Sequence, residues 1–336
     1  MRRNLYIGAA VLVVAASGFA AGWFGHVEAA PGPLSLRQSD IASSTRYQFI
    51  DPLLAIRNPD GGNSPSYDAL FTSVTGLIAE AQKNQILRAA SVYFRELGPS
   101  QGFVISANEQ YSPASLLKVP TMMTYLKLAE SNPGALSSLA TYSGTTDANA
   151  QEHIKSPVHL APGTYSVQTL LEHMIKNSDN NAAETLINHL NDTGESGAFD
   201  TLFNDLGVSN VDLTNDFITV RGYALFFRVL YNATYLNRTS SEKALALLAQ
   251  TDFDQGLRAG LPQDVAVSHK FGEFSQQDQG GTLLKRELHD CGIVYYPSHT
   301  YLLCVMTKGD DFLALEGFIK SVSSASYQFM LGKYSH

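Results

Sequence analysis

The order of strand-like and helix-like segments constrains the fold of this chain more than any other feature. Two strand-like runs, at 89–97 and 102–110, flank Gly98 and Pro99, and this arrangement is typical of a hairpin. Residues with helical spacing fill the middle of the chain. Three more strand-like runs come near its end, at 265–271, 289–296 and 300–308. Strands on both sides of a helical block indicate an α/β (α+β) fold in which a helical lobe interrupts one sheet.

Apolar residues recur at helical spacing before, between and after these runs. They predict a first helix over 66–84 and a last helix that begins near Phe312. In the middle, five apolar residues share one helix face until the polar residues 177–181 interrupt the pattern. Further helices are predicted at 182–190, 197–206, 219–236 and 241–250. With 44% hydrophobic residues in a length of 336, the chain can bury the core of one large domain or of two interleaved lobes.

Residues 1–24 predict export of the chain. Arg2 and Arg3 precede an uncharged apolar run that is long enough to span a bilayer as a helix. The same segment fits an export signal that is cleaved before Ala30, so a membrane anchor and a cleaved signal both remain open. In either case the two arginines stay in the cytoplasm and the rest of the chain is exported.

The next segment, 25–65, is rich in Pro, Gly, Ser and Asp, and it predicts a linker with one apolar clip at 49–56. Residues 66–336 remain as the globular domain. The net charge is −8 at pH 7 and no cluster of Lys or Arg occurs, which argues against a nucleic-acid partner. The nine histidines are scattered without a metal-ligand spacing, so we expect no metal and no other cofactor.

A serine and a lysine lie three positions apart in the apolar run S-P-A-S-L-L-K-V-P at 112–120. With Ser112 as the N-cap and Pro113 as the first helical residue, Ser115 falls in the first turn of a buried helix. Lys118 then lies on the same face, within reach of the Ser115 hydroxyl. A buried lysine that is partly neutral can accept the serine proton, and this makes the serine a nucleophile.

The same pattern allows a plainer interpretation, in which a surface lysine lies beside a serine that only caps a helix. A second S-x-x-K match, at 240–243, has the features of an ordinary helix start. Pro120 removes one hydrogen bond of the predicted helix, so we expect a kink there.

Two later motifs could share a site with this pair. The sequence N-S-D-N at 177–180 breaks a helical pattern, so Ser178 and Asn180 can project from a loop between helices. The sequence H-K-F-G-E at 269–273 ends a strand-like run, where Lys270 would suit an anionic substrate. Taken singly, the first is also explained as a polar turn and the second as an edge-strand lysine.

In this order, the three motifs resemble those of the serine penicillin-recognising enzymes, which are S-x-x-K, S-D-N and K-[TS]-G. The resemblance covers roughly 70–331 and is to the class A β-lactamases in particular. It implies an antiparallel sheet of five strands, flanked by N- and C-terminal helices, with an all-helical lobe between.

The resemblance also implies catalytic roles. Ser115 would be the acylated nucleophile and Lys118 its proton acceptor. Ser178 would pass a proton to the leaving nitrogen. The backbone N–H groups of Ser115 and Glu273 would form the oxyanion hole.

The substrate-binding roles follow from the same resemblance. Asn180 would bind the side-chain amide of the substrate. Lys270 would attract its carboxylate and keep Lys118 deprotonated by like-charge repulsion. Gly272 would let the strand approach the substrate closely, beside Glu273.

The sequence departs from the family pattern in two places. Phe271 replaces the Thr or Ser whose hydroxyl helps to hold the β-lactam carboxylate. The stretch 207–227 also lacks the E-x-x-L-N motif, whose glutamate activates the water that hydrolyses the acyl-enzyme. Asp212 and Asp216 are the only carboxylates in that stretch, and Glu273 is a weaker candidate for the missing base.

These patterns predict an exported serine hydrolase that acts on β-lactams or cell-wall peptides, with the membrane contacted through the N-terminal segment. Two alternatives remain open. One is a D,D-peptidase, or penicillin-binding protein, with slow deacylation. The other is a non-catalytic peptidoglycan-binding module, because the fold alone does not decide function.

Cys291 and Cys304 are the two cysteines of the chain, and both fall in the last predicted hairpin. If Pro297 and Ser298 form a two-residue loop, the cysteines lie opposite each other on one face. Export allows a disulfide. We nevertheless expect two buried free thiols, because free cysteines are commonly buried in strand cores.

Overall fold

A computed structural model describes residues 47–51, 63–98, 100–150, 152–208 and 216–335. The predicted anchor or signal at 1–24 and most of the predicted linker lie outside these ranges. Within the ranges, no helix has both the length and the apolar character needed to cross a membrane.

The described residues form nine strands and nine helices. The strands are β1 Leu87–Glu96, β2 Gln101–Ile105, β3 Gln110–Tyr111, β4 Leu139–Tyr142, β5 Gly163–Ser166, β6 Ile218–Thr219, β7 Val267–Gln277, β8 Leu283–Val294 and β9 Tyr301–Gly309. The helices are α1 Asp68–Lys83, α2 Lys118–Ser131, α3 Val167–Lys176, α4 Asn180–Asp192, α5 Gly197–Asp205, α6 Val220–Tyr231, α7 Arg238–Leu248, α8 Gly256–Ala259 and α9 Phe312–Tyr334.

Five antiparallel strands form the central sheet, in the spatial order β2-β1-β9-β8-β7. The expected sheet, split in sequence by a lobe, is therefore confirmed. β7 and β8 extend further than their apolar patterns indicate, because β7 continues through the exposed polar residues 275–277 and β8 begins at 283–286, which are only partly buried or exposed. The lobe is not entirely helical, since β3 pairs with β6 and β4 pairs with β5 in two short ladders.

The two faces of the sheet bury different helices. Along β9, Leu303 and Val305 belong to the core that contains residues of α1 and α9. The intervening Cys304 and Met306 belong to the core of the helical lobe. The alternation of side chains along a strand thus separates the core into two layers. β7 is an edge strand, and it borders the lobe.

Helices α3 and α4 are separated where the sequence predicts a break. The side chain of Ser166 accepts the N–H of Thr169 at the start of α3. The side chain of Asp179 accepts the N–H of Ala182 at the start of α4. The five apolar residues predicted to share one face of α3 are all buried, namely Val167, Leu170, Leu171, Met174 and Ile175.

Cys291 and Cys304 form a disulfide between β8 and β9, so the expectation of two free thiols is wrong. The alternative based on register is confirmed, because the two residues lie directly opposite each other. Pro297 and Ser298 form the two central residues of the turn, in which His299 N–H donates to Tyr296 O at 3.0 Å. The preference of free cysteines for the core did not decide the outcome, because the turn fixes the pairing.

The described residues 47–51 include the beginning of the predicted apolar clip, 49–51. Ile50 is buried against the lobe core. The backbone N–H groups of Gln48 and Phe49 each donate to the carboxylate of Glu242, at 2.9 Å. This short segment is therefore fixed to α7.

Candidate active site

Ser115 lies in a 3₁₀ turn, Ala114–Leu117, that leads directly into α2. The predicted N-cap role of Ser112 is wrong, because its side chain makes no capping bond and Pro113 occupies the cap position. The main chain of Ser112 is instead held by β8. Its N–H donates to Glu287 Oε2 at 2.9 Å, and its carbonyl accepts from His289 Nε2 at 3.0 Å. Two buried side chains of the sheet therefore position the nucleophile turn.

Two residues next to the site have backbone conformations that non-glycine residues rarely adopt. Ala114, immediately before Ser115, has a φ of +47°, and Ser178 has a φ of +53°. Such left-handed conformations cost on the order of 1–3 kcal/mol each and concentrate at functional sites. The packing of the surrounding residues must therefore stabilise both turns.

Pro120 lies in the first turn of α2 and has no N–H to donate to the carbonyl of Leu116. The hydroxyl of Tyr223 donates to that carbonyl instead, at 2.9 Å. α2 continues through Pro120 as one helix to Ser131, and the kink at Pro120 stays a prediction. The buried tyrosine therefore replaces the missing hydrogen bond at the residue that follows Ser115.

Gly272 allows β7 to pack against the nucleophile turn. A Cβ atom at this position would lie 2.9 Å from the carbonyl oxygen of Pro113 and 3.0 Å from the nitrogen of Leu116. Any side chain would push the edge strand away from Ser115. The glycine of the third motif is thus required by the close approach of two backbones, and it brings Lys270 and Glu273 alongside the site.

Lys118 is buried and bonded to the S-D-N loop. Its Nζ atom lies 3.1 Å from Ser178 Oγ and 2.6 Å from Asn180 Oδ1, and it also donates to the Ser178 carbonyl. Among the described residues, the expected hydrogen bond from Lys118 to the Ser115 hydroxyl does not form. The Ser115 side chain is half-buried and makes no hydrogen bond to Lys118.

The environment of Lys118 favours a neutral amine. Burial lowers its pKa to about 8, although the negative charges of Glu152, Asp179 and Glu273 oppose this shift. At alkaline pH a substantial fraction of the amine is then neutral and can accept a proton. This is the property that the nucleophile needs from its neighbour.

Lys270 lies on the other side of Ser178. Its Nζ atom is 2.9 Å from Ser178 Oγ and 2.9 Å from the carbonyl oxygen of Phe271. Burial, followed by the positive charge of Lys118, holds the pKa of Lys270 well below its usual value. The hydroxyl of Ser178 therefore joins two buried amines that repel each other when both are charged.

Phe271 forms a wall beside this lysine. Its ring stacks on Phe253 with 4.1 Å between the centroids, and Lys270 Nζ lies 4.1 Å from the centroid of the Phe271 ring. The ring can stabilise the charged ammonium through a cation–π contact. It offers no hydroxyl to a substrate carboxylate, as the sequence indicated.

Glu152 is a site residue that the sequence analysis missed. Burial, and then the charge of Glu273, raise its pKa to about 7, while the charges of Lys118 and Lys270 oppose the shift. It lies in the connection between β4 and β5, outside all three motifs. No local sequence signal marks it, because only the fold brings it near the lysines.

The carboxylates considered for the missing base are engaged elsewhere. Asp216 pairs with Lys285 at 2.6 Å and with Lys308 at 3.0 Å. The carboxylate of Glu273 accepts backbone N–H groups of the β4–β5 connection. Asp212 lies outside the described residues.

The second S-x-x-K match is confirmed as an ordinary helix start. Asn237 caps α7 by accepting the N–H of Ser240 at 2.9 Å. Lys243 is exposed and donates to Gln168 Oε1 at 3.2 Å. The structure thus brings together only the first match, the S-D-N loop and the lysine of β7.

Comparison with known proteins shows the family of this chain. The sequence profile of the β-lactamase enzyme family matches residues 72–330. No curated protein matches the sequence.

Solved structures resemble the fold closely. The structure of PBP-A shares 21% identity with a TM-score of 0.64, over 80% of this chain and 98% of that chain. A PBP-A variant, solved as an acyl-enzyme complex with penicillin G, shares 22% identity with a TM-score of 0.63, over 78% and 97% of the two chains. A β-lactamase from Chitinophaga pinensis DSM 2588 shares 18% identity with a TM-score of 0.64, over 77% and 98%. At these identities the likeness shows the fold alone.

Proposed function

The chain belongs to the β-lactamase enzyme family and is a serine hydrolase of the β-lactamase and penicillin-binding type, and from this premise we propose that it acts on β-lactams or cell-wall peptides through an acyl-enzyme on Ser115. The observation that carries the proposal is the position of Ser178 Oγ, 3.1 Å from Lys118 Nζ and 2.9 Å from Lys270 Nζ. This arrangement provides a path for protons beside the Ser115 turn. A protein that only binds its ligand has no need of such a path.

Acylation begins when Ser115 Oγ attacks the carbonyl carbon of the amide or lactam. As this C–O bond forms, neutral Lys118 accepts the hydroxyl proton. As the C–N bond breaks, Ser178 gives its proton to the leaving nitrogen and regains one from a neighbouring lysine. The N–H groups of Ser115 and Glu273 stabilise the negative oxygen of the tetrahedral intermediate.

Substrate recognition uses the rim of the same site. Lys270 attracts the substrate carboxylate, and the Asn180 amide bonds the side-chain amide of the substrate. Phe271 supplies no hydroxyl to that carboxylate, and losing one charge-assisted hydrogen bond costs on the order of 1–3 kcal/mol of binding. The penicillin G complex of the PBP-A variant supports β-lactams as acylating compounds for this chain as well.

A second candidate is a D,D-peptidase or penicillin-binding protein that releases its acyl group slowly. The pairing of Asp216 with Lys285 and Lys308 favours it, because this carboxylate is not free to activate a water. Glu273 is likewise occupied by the β4–β5 connection. Without another base, the ester on Ser115 persists.

Incubation of the purified protein with a fluorescent penicillin and with a chromogenic cephalosporin distinguishes the candidates. Turnover of the cephalosporin supports a β-lactamase. Stable labelling by the penicillin without turnover supports a penicillin-binding protein. The absence of both labelling and turnover would support the non-catalytic binding module instead.

Export belongs to the same proposal, with the catalytic domain outside the cytoplasm and either anchored or secreted. It depends on the apolar run in residues 1–24. Membrane fractionation of the full chain, compared with a chain that lacks residues 1–30, tests this part. A full chain that is soluble and begins at Ala30 would favour the cleaved signal over the anchor.

A further inference from the structure

The connection between β4 and β5 contacts the site on two sides. It consists of residues 143–162, described except for position 151, and is called the covering loop here. It contains no helix or strand in its described part. Its course is therefore fixed by the contacts that it makes at either side of the site.

On the side of the lobe, the covering loop is bonded to the S-D-N turn. The carboxylate of Asp179 accepts the N–H of Leu160 at 2.7 Å and the side-chain amide of Asn149 at 3.3 Å. The side-chain oxygen of Asn149 accepts the N–H of Asn180 at 2.6 Å. This side of the loop is fixed to the residues that follow Ser178.

On the side of the sheet, the principal polar contact is the carboxylate of Glu273 on β7. Glu273 Oε1 accepts the N–H of His153 at 2.7 Å and the N–H of Ile154 at 3.0 Å, and Oε2 lies 3.1 Å from the latter. The ring of His153 also packs on Phe312, with 4.8 Å between the centroids. Hydrogen bonds to an ionised carboxylate are stronger than neutral ones.

These two attachments lie on opposite walls of the site. Ser178 belongs to one wall, and Gly272, which packs on the Ser115 turn, belongs to the other. The covering loop therefore runs from the wall that contains Ser178 to the wall that contains Gly272. Beneath it, the side chains that handle protons are almost fully removed from solvent, with exposures of 5% for Lys118, 3% for Ser178 and 0% for Lys270.

We propose that the Glu273 carboxylate is a latch that holds the covering loop against β7 and so determines which acyl side chains are admitted to Ser115. The inference rests on the proposed acylation of Ser115 and adds a specificity role to it. Compounds with a small acyl side chain fit beneath the latched loop. Compounds with a bulky side chain enter only after the bonds from His153 and Ile154 break, so Glu273 is a positioning residue that acts through the loop.

Hydrogen exchange of the backbone amides tests the latch without reference to activity. In Glu273→Ala, the peptide that contains His153 and Ile154 should exchange at least about tenfold faster, because both amides lose their acceptor. Glu273→Gln keeps an acceptor oxygen, so its exchange rate should fall between those of the wild type and Glu273→Ala. Glu172→Ala removes an exposed carboxylate on α3 and is the matched control, with no change expected. Unchanged exchange in Glu273→Ala would overturn the proposal.

Acylation rates test the specificity role. Two penicillins are compared, one with a free amine in place of the acyl side chain and one with a bulky fluorescent side chain. Glu273→Ala keeps its backbone N–H, and it should raise the rate with the bulky compound relative to the small one by about tenfold or more. An equal fall in both rates, with a lower Tm, would show that Glu273 has only a structural role.

The two experiments separate this inference from the proposed function. Faster exchange in Glu273→Ala, with no acylation of the wild-type protein by either compound, would contradict the acyl-enzyme and would overturn the specificity role with it. Acylation of the wild type with unchanged exchange in Glu273→Ala would overturn the latch and leave the acyl-enzyme standing.

Discussion

The Oγ atom of Ser178 lies 2.9 Å from Nζ of Lys270, and the Nζ atom of Lys118 approaches the same oxygen to 3.1 Å. Both amines are buried, and burial lowers the pKa of each. Two ammonium groups bonded to the same hydroxyl repel each other, and this repulsion favours the loss of one of their two protons. One hydroxyl therefore links a proton acceptor to a proton donor within a dry site.

The rate of acylation should rise with pH through about 8, because the reactive form of Lys118 is the neutral amine and its pKa is about 8. Glu152→Gln should move this rise to lower pH, since the negative charge of Glu152 holds the pKa of Lys118 up. Stopped-flow measurement of the acylation rate against pH gives the midpoint of this rise for the wild type and for Glu152→Gln. A rate that falls through the same range would contradict the role given to Lys118.

Release of the acyl group should be much slower than its formation. The loss of a general base typically costs ~10²–10⁴-fold in the step that it serves. Hydrolysis of a penicillin at saturating concentration should therefore show a burst of one product per protein, followed by a slow steady rate. A fast steady rate without a burst would show that another base acts, and Glu152→Gln would then test whether the base is Glu152.

The disulfide should leave no free thiol in the denatured, unreduced protein. Thiol titration before and after reduction should give zero and then two groups per chain, since Cys291 and Cys304 are the only cysteines. Reduction should lower the free energy of unfolding by about 3 kcal/mol, the value expected for a loop of this length. The double variant Cys291→Ala, Cys304→Ala is the control and should be insensitive to the reductant. Two reactive thiols before reduction would exclude the bridge.

Glu287 should make the stability depend on acid pH. Burial tends to raise its pKa, but the hydrogen bond and charge of His289 and the contact with Lys285 prevail and lower it to about 2 from 4.5. A carboxyl group whose pKa is lower in the folded state stabilises the fold at pH values above its unfolded pKa. This contribution is lost as the pH falls from about 4.5 to 2, and it is on the order of 3 kcal/mol in total.

Denaturant unfolding across this pH range measures that contribution. The difference in the free energy of unfolding between wild type and Glu287→Gln should shrink as the pH falls. Glu80→Gln removes an exposed carboxylate on α1 and should leave the pH dependence unchanged. Because Glu287 also accepts the N–H of Ser112, Glu287→Gln should slow acylation of Ser115. Parallel curves for the wild type and Glu287→Gln would contradict this account of the carboxylate.

Local patterns predicted the strands of the sheet and the break at 177–181, and they contain the three motifs. Each of these features depends on residues that are close in sequence. The cap at Ser112 was predicted wrongly, since its N–H and carbonyl are bonded by Glu287 and His289, far away in sequence. A tertiary contact of this kind overrides a local preference. The bond from His153 to Glu273 spans 120 positions, and no spacing rule could have indicated it.

Mapping the site of a covalent penicillin adduct tests the central claim most directly. The purified protein is incubated with a penicillin, its intact mass is measured, and the modified peptide is sequenced by mass spectrometry. We expect one adduct per chain on Ser115, its loss in Ser115→Ala and its retention in Ser240→Ala, because Ser240 belongs to an ordinary helix start outside the site. An adduct on any other residue, or one that persists in Ser115→Ala, would contradict the assignment of Ser115 as the nucleophile.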